Sequence, residues 1–333
     1  MSLFWLEKHL NQWDSAIKLD HKPQAVIVSG LNGTGKAELL RQIIADLICR
    51  QTNSGHCGTC QNCVLNQQGH HPDVYQIEPE KNTVKVKMIR GLTDFFTSTP
   101  HCSDYKIAVI EQADQMNVAA ANALLKSLEE PPSRGLLFLV TDSKHQLMPT
   151  IKSRCVSLDV AINLDEKKQL KQWIKTELAA LGNETNRVDD RLAEEALTVS
   201  DYCPKTALKI LQENRLDELK TWLDGLYGVF NHDLSVSDVA QKILASENLN
   251  NWKLVQRYCV QLLKAKLNSN HHEIYASHPL NQLIKRTPKV VHIIIKMTEL
   301  IQQLMLNFNT QIKDQLLLES MLVEIKSELN PRS

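Results

Sequence analysis

The segment Gly30-Leu31-Asn32-Gly33-Thr34-Gly35-Lys36 follows a short apolar run, QAVIVSG over 24–30, and precedes a stretch with helical spacing, 37–50. It fits the pattern G-x-x-x-x-G-K through Gly30, Gly35 and Lys36. The chemistry such a segment supports is phosphate binding. Glycines let backbone N–H groups curl around a phosphate, the following helix N-terminus adds positive potential, and the lysine meets the outer phosphates. In such loops the next residue is Ser or Thr, whose hydroxyl holds Mg²⁺; here it is Ala37. The second half of such a site is a strand ending in an acidic pair. The run AVIEQAD over 108–114 supplies Glu111 and then Gln112. Glu111 keeps a carboxylate that could assist a metal, whereas neutral Gln112 cannot serve as a carboxylate base. The metal hydroxyl and the base are absent together, so the loop reads as a phosphate cradle that no longer turns a nucleotide over. These residues leave open whether it binds ATP or ADP.

A second constellation is made of thiols. Cys57, Cys60 and Cys63 form C-x-x-C-x-x-C, and Cys49 stands upstream at the end of the helical stretch. Four thiolates suit a closed, tetrahedral, structural Zn²⁺ site. Iron–sulfur ligation shares this spacing, but no C-P follows to complete that pattern. His56, His70 or His71 could replace one cysteine. The segment is polar, which argues against packed free thiols. The remaining cysteines, Cys102, Cys155, Cys203 and Cys259, are scattered and read as core packing.

The elements that must position these groups follow from periodicity. After QAVIVSG and the helix over 37–50 come a strand-like run at 73–78, a helical stretch at 84–97 and a strand-like run at 106–114. A helix over 120–132 stops at two prolines, and apolar runs follow at 135–141 and 154–160. Strand and helix taking turns imply a mainly parallel sheet covered on both faces. From about 165 the pattern becomes helical. Leu318, Met321, Leu322, Ile325 and Leu329 share one helix face. The stretch 290–308 is apolar on more than one face, which predicts burial on several sides, within a bundle or at a subunit interface. Eight of the eleven glycines lie in the first 135 residues and none follows Gly228, which agrees with functional loops in front and helices behind.

The 333 residues are enough for two or three domains. Lys+Arg and Asp+Glu are both 38, so no bulk charge draws the chain to nucleic acid or to an anionic membrane. No run of about 18 apolar residues is present, and the first residues read as an amphipathic helix and not a signal peptide. The expectation is a cytoplasmic protein without membrane contact.

The segment ALLKSLEEPP over 123–132, an apolar strand, and TIKSRC over 150–155, together with GHHPD over 69–73 and the cysteine cluster, resemble the AAA+ subunits of bacterial DNA polymerase III clamp loaders. The likeness is specific over about 20–160 and looser beyond. It implies an α/β AAA+ P-loop core over 1–163 with a zinc module at 49–63, a small helical lid over 164–210, and an all-helical oligomerisation (collar) domain over 211–333. That family contains hydrolysing motor subunits and subunits that have lost the hydrolysis residues, and Ala37 and Gln112 point to the latter. The resemblance makes Arg154, in SRC, the candidate arginine finger acting in the nucleotide site of a neighbouring subunit. It makes Thr141 a candidate γ-phosphate sensor and Lys205 a weak second-sensor candidate. It also assigns zinc to Cys49, Cys57, Cys60 and Cys63.

The implied function is a stator that helps load a sliding clamp onto primed DNA. Such a chain is not an enzyme on its own. It is part of the DNA-directed DNA polymerase III holoenzyme, a nucleotidyltransferase complex, and its partners are motor subunits and delta. A competing class is an ATP-hydrolysing motor-type subunit or other P-loop NTPase, against which the missing base argues. A zinc-dependent nucleic-acid adaptor is a third, weakened by the neutral charge balance and the lack of interleaved basic and aromatic residues.

Overall fold

The computed structural model describes residues 3–18, 23–52, 55–81, 83–180, 189–231, 233–245, 249–267, 290–307 and 311–329. The chain divides into two compact units, Met1–Glu166 and Lys167–Ser333.

The first unit is built on five strands: β1 (Ala25–Ser29), β2 (Val74–Ile77), β3 (Lys106–Ile110), β4 (Gly135–Thr141) and β5 (Val156–Asp159). Every pairing is parallel and the order is β2-β3-β4-β1-β5. The three inner strands β1, β3 and β4 are buried at every residue, as continuous apolar runs in a doubly covered sheet must be. At the edges, β2 and β5 are only partly buried.

The helices of this unit are α1 (Glu7–Lys18), α2 (Lys36–Ile48), α3 (Gln61–Gln67), α4 (Val86–Thr97), α5 (Val118–Glu129) and α6 (Pro149–Lys152). Side chains alternate across a strand, and the two sheet faces sort accordingly. Ala25, Ile27, Ala108, Ile110, Leu137 and Leu139 join Ile89 and Leu92 of α4, Ala121 and Leu124 of α5, and Ile151 of α6 in one core. On the opposite side Trp13 of α1 rests on Phe138, with ring centroids 5.5 Å apart. The start of α5 is set by Asn117, whose side chain accepts from the Ala120 N–H at 2.8 Å.

Because all strands are parallel, their carboxyl ends share one edge. The phosphate loop follows β1, Glu111 and Gln112 follow β3, and Asp142 follows β4. Ser29 pairs in register with Thr141 on one side and with Asp159 on the other. This is the edge where open α/β sheets gather ligand-binding groups. The last strand is shorter than its apolar run: Arg154 and Cys155 lie in the turn ahead of it. There the Arg154 N–H is held by the Ile151 carbonyl at 3.1 Å.

The second unit is helical among the described residues: α7 (Lys167–Ala180), α8 (Asp190–Val199), α9 (Pro204–Gln212), α10 (Arg215–Phe230), α11 (Val236–Ala245), α12 (Leu249–Leu267), α13 (Val290–Asn307) and α14 (Gln311–Leu329). Asp201 and Tyr202, between α8 and α9, both have left-handed backbone angles. Lys264 of α12 holds the Asp201 carboxylate at 2.8 Å and Gln261 holds it at 3.0 Å. Leu318, Met321 and Leu322 are buried as their spacing predicts; Ile325 and Leu329 lie outside the described side chains. Among the described side chains of α13, Ile294, Met297 and Ile301 are buried and Ile295 is exposed. The helices α12 and α14 both pack against this helix; Ile293, Leu300 and the side chains over 303–307 lie outside the described residues. No helix among the described residues is long and apolar enough to cross a membrane.

Candidate functional site

The phosphate loop has the backbone its glycines anticipate. A Cβ on Gly30 would sit 2.4 Å from the Val160 carbonyl oxygen, so only glycine lets the loop pass the end of β5. Gly35, the residue before α2, has φ of 95°, a left-handed angle that favours glycine. Trp5 donates from Nε1 to the Thr34 carbonyl at 2.8 Å, and the Thr34 hydroxyl donates to the Leu31 carbonyl at 2.9 Å. Lys36 turns inward. Its ammonium donates to the carbonyls of Gly30 and Leu31, at 2.5 and 3.1 Å, and to Asp142 Oδ1 at 2.8 Å. The lysine side chain is 8% exposed.

Ala37 and Gln112 stand at the two positions where the phosphate-loop pattern calls for a hydroxyl and a carboxylate. Ala37 lies exposed in the first turn of α2 with only a methyl group. Gln112 is exposed with φ of 48°, in the turn that leaves β3. Glu111 is half-buried. Burial, with a contribution from Glu78, pushes its carboxyl above the ordinary range, while Lys36 and Arg41 oppose the shift. Thr141 is buried and its hydroxyl is committed. It donates to Asp114 Oδ1 at 2.6 Å and accepts from the Ser143 N–H at 3.0 Å.

Arg154 stands in the turn after α6. One guanidinium nitrogen donates to the Thr150 carbonyl at 3.0 Å, and the other donates to Glu129 Oε1 at 2.8 Å. The arginine side chain is 36% exposed and the glutamate 52%, so both are open to solvent. Lys205 is half-buried in the first turn of α9.

Cys49, Cys57, Cys60 and Cys63 converge, with their four sulfurs within 4.8 Å of one another. Cys57 Sγ lies 4.0 Å from Cys63 Sγ. A tetrahedral Zn–S bond of about 2.3 Å places sulfurs about 3.8 Å apart, so the donor set and spacing fit zinc. Backbone N–H groups point at the sulfurs: Cys57 N–H at Cys49, Cys60 N–H at Cys57, and Cys63 N–H at Cys60, at 3.4, 3.3 and 3.5 Å. Such outer-shell donors stabilise thiolate ligands. The Thr52 hydroxyl and the Cys57 N–H lower the Cys49 thiol to about 6. Backbone N–H groups of Thr59 and Cys60 lower Cys57, and burial pushes Cys63 up to about 12.

The histidine alternatives are not in this cluster. His56 pairs with Asp46 at 2.6 Å, His70 is exposed, and His71 is buried beside Cys102, 3.7 Å away.

Residues that periodicity did not single out hold this region together. Asn62, inside the cysteine segment, donates to the carbonyls of Ile48 and Cys102 at 2.8 and 2.9 Å, tying the module to the core. Asp73 is fully buried and accepts from the backbone N–H groups of His101, Cys102 and Ser103, at 2.7, 2.8 and 2.9 Å. Burial raises its carboxyl, but those donors outweigh it and bring it down to about 2. His71 and Cys102 approach the same carboxylate, yet its oxygens are engaged by four donors and offer a metal little. The one signal for Asp73 is an acid just before a strand, in GHHPD. Asp142 had a similar signal, an acid directly after β4.

The family described as DNA polymerase III, delta subunit, matches residues 5–163. A DNA polymerase III subunit delta' of Pseudomonas aeruginosa is 33% identical over 220 residues, covering 65% of this chain and 64% of its own length. The Bacillus subtilis subunit delta' is 32% identical over 202 residues, covering 60% of each. A DNA polymerase III subunit gamma of Buchnera aphidicola subsp. Baizongia pistaciae is 33% identical over 139 residues, covering 41% of this chain and 37% of its own. The chain thus spans under two thirds of the length of each of these relatives. Over residues 5–163, just under half of the chain, the sequence is thus similar to the family described as DNA polymerase III, delta subunit, and its relatives at 32–33% identity include proteins named DNA polymerase III subunit delta'.

Proposed function

We propose that this chain acts as the non-hydrolysing delta prime (stator) subunit of a bacterial DNA polymerase III clamp loader, working in the cytoplasm to help place a sliding clamp on primed DNA. The observation that carries this reading is the joint loss at Ala37 and Gln112. A metal hydroxyl and a carboxylate base are parts of one mechanism, and each is replaced by a group that cannot do its work. The loop of Gly30, Gly35 and Lys36 persists in form without the groups that would cleave a phosphate.

Arg154 is the residue assigned to chemistry, as an arginine finger supplied in trans to a motor subunit. Support comes from its place in the SRC turn and from the partial exposure of its guanidinium. A planar, always-charged fork suits transferred phosphoryl charge. Zinc held by Cys49, Cys57, Cys60 and Cys63 would be structural, since four protein thiolates leave no open position. The division of Lys167–Ser333 into a lid ending near 210 and a collar from 211 is part of the same proposal. Ile295, Leu316 and Val323 are exposed on α13 and α14, which supports that collar as the surface meeting motor subunits and delta.

The test is a reconstituted loader carrying Arg154→Ala. Loss of DNA-stimulated ATP hydrolysis with the ring still assembled supports the reading, and unchanged hydrolysis and clamp loading refute the finger. The second reading, a motor-type subunit, rests on the likeness to a gamma subunit. It requires Mg²⁺-dependent turnover by the chain alone that Lys36→Ala abolishes.

A further inference from the structure

We propose that Asp142 decides whether this phosphate loop accepts a nucleotide, because its carboxylate occupies the lysine that a nucleoside triphosphate needs. An ammonium has three protons to donate. Those of Lys36 meet three acceptors, the Gly30 and Leu31 carbonyls and Asp142 Oδ1, and the side chain is almost wholly buried. No donor is left over for an outer phosphate. A triphosphate can gain Lys36 only by displacing Asp142.

The surrounding charge reinforces this. Glu78 and Asp142 both lie close enough to act on Glu111, with Lys36 and Arg41 as the cations that oppose them there. In a complete loop of this type Mg²⁺ offsets such carboxylates. Ala37 removes one anchor for that ion, so a triphosphate meets Asp142 with less compensation.

The backbone around the pair is fixed by other bonds. Thr141, next to Asp142, is held through its hydroxyl by Asp114 and Ser143, and its carbonyl accepts from the Gly30 N–H at 3.3 Å. Trp5 holds the loop at Thr34, and the methyl groups of Leu3 and Leu6 close on Gly35. One ion pair therefore separates a formed cradle from a usable one. The Asp142 side chain is 52% exposed, so its replacement leaves the core untouched.

The experiment measures binding of a fluorescent ATP analogue to the full chain by anisotropy, with Mg²⁺ present. Asp142→Asn and Asp142→Ala are each compared with the unaltered chain, and thermal melting confirms that both fold. Both variants are expected to bind at least about tenfold more tightly, the worth of a charge-assisted hydrogen bond. Adding Lys36→Ala to Asp142→Asn is expected to remove that gain. Binding no tighter in either variant, or a gain that survives Lys36→Ala, overturns the proposal. The readout is binding by the chain alone, so it stands or falls apart from the role of Arg154.

Discussion

Arg154 Nη2 donates to Glu129 Oε1 at 2.8 Å, which ties the SRC turn to the carboxyl end of α5. The candidate finger is thus held by an acid from ALLKSLEEPP, the other segment that carries the family likeness. The pair is open to solvent, and exposed ion pairs of this kind contribute roughly 0–1 kcal/mol. That is weak enough for a partner's phosphate to take the arginine over.

Arg154→Ala is expected to lower ATP hydrolysis at the one motor site it serves by a factor of about 10³, as loss of a finger does in related phosphoryl transfers, and so to lower the assembled loader's rate measurably. Arg154→Lys is expected to recover little of it, since an ammonium lacks the planar fork. Hydrolysis by reconstituted rings, with assembly followed by gel filtration, measures this. Near-normal rates with Arg154→Ala would reject it.

The chain alone is expected to show no Mg²⁺-dependent ATP turnover above background. Lys36→Ala should leave that background unchanged, because Ala37 and Gln112 already remove the metal hydroxyl and the base. A steady-state phosphate-release assay on the purified chain decides the point; a rate that Lys36→Ala abolishes would restore the motor reading.

Purified chain is expected to carry about one zinc ion, by the closed four-thiolate logic of the site. Elemental analysis reads this directly. Cys60→Ser should lose the metal and expose the 55–69 segment to protease, while Asn62→Ala should loosen the module at its docking bonds with the metal retained. Stoichiometric zinc in Cys60→Ser would show that this thiol is not a ligand.

Asp73 has a stability signature in acid. Its carboxyl stands at about 2 in the folded chain, below the ordinary 3.8. A depressed carboxyl contributes fully above the unfolded value and loses that contribution as pH falls through the folded one. The loss should run from about pH 4 down to about pH 2 and amount to roughly 2 kcal/mol. Asp73→Asn should forfeit a similar amount at neutral pH and flatten the dependence in that window. Denaturant titrations at several pH values check this, and an unchanged acid limb in the variant would contradict it.

Much of this site was legible in the chain before any fold was known, because its signals are local. Gly30, Gly35 and Lys36 are read from spacing, and the losses at Ala37 and Gln112 from identity at fixed offsets. The C-x-x-C-x-x-C run is legible for the same reason. The inner strands declared themselves as unbroken apolar runs, which only a sheet covered on both faces requires. Boundaries were less visible. The run over 154–160 pairs only from Val156, because the turn after α6 claims Arg154 first.

What the sequence by itself determined, then, was which functional groups stand at each position of the phosphate loop and the cysteine run: a side chain's functional groups are set by its identity. Which groups meet was decided by tertiary structure alone. Lys36 and Asp142 are 106 positions apart, Asp114 and Thr141 are 27 apart, and no spacing rule connects either pair. Cys49 joins the thiols, and His56, His70 and His71 do not, because α2 ends beside the cysteine loop while His56 and His71 turn to other partners. The physical reason lies in the parallel sheet. Its crossovers bring the carboxyl ends of distant strands to one edge, and which residues then face each other depends on strand register, a property of the packed core and not of any local run.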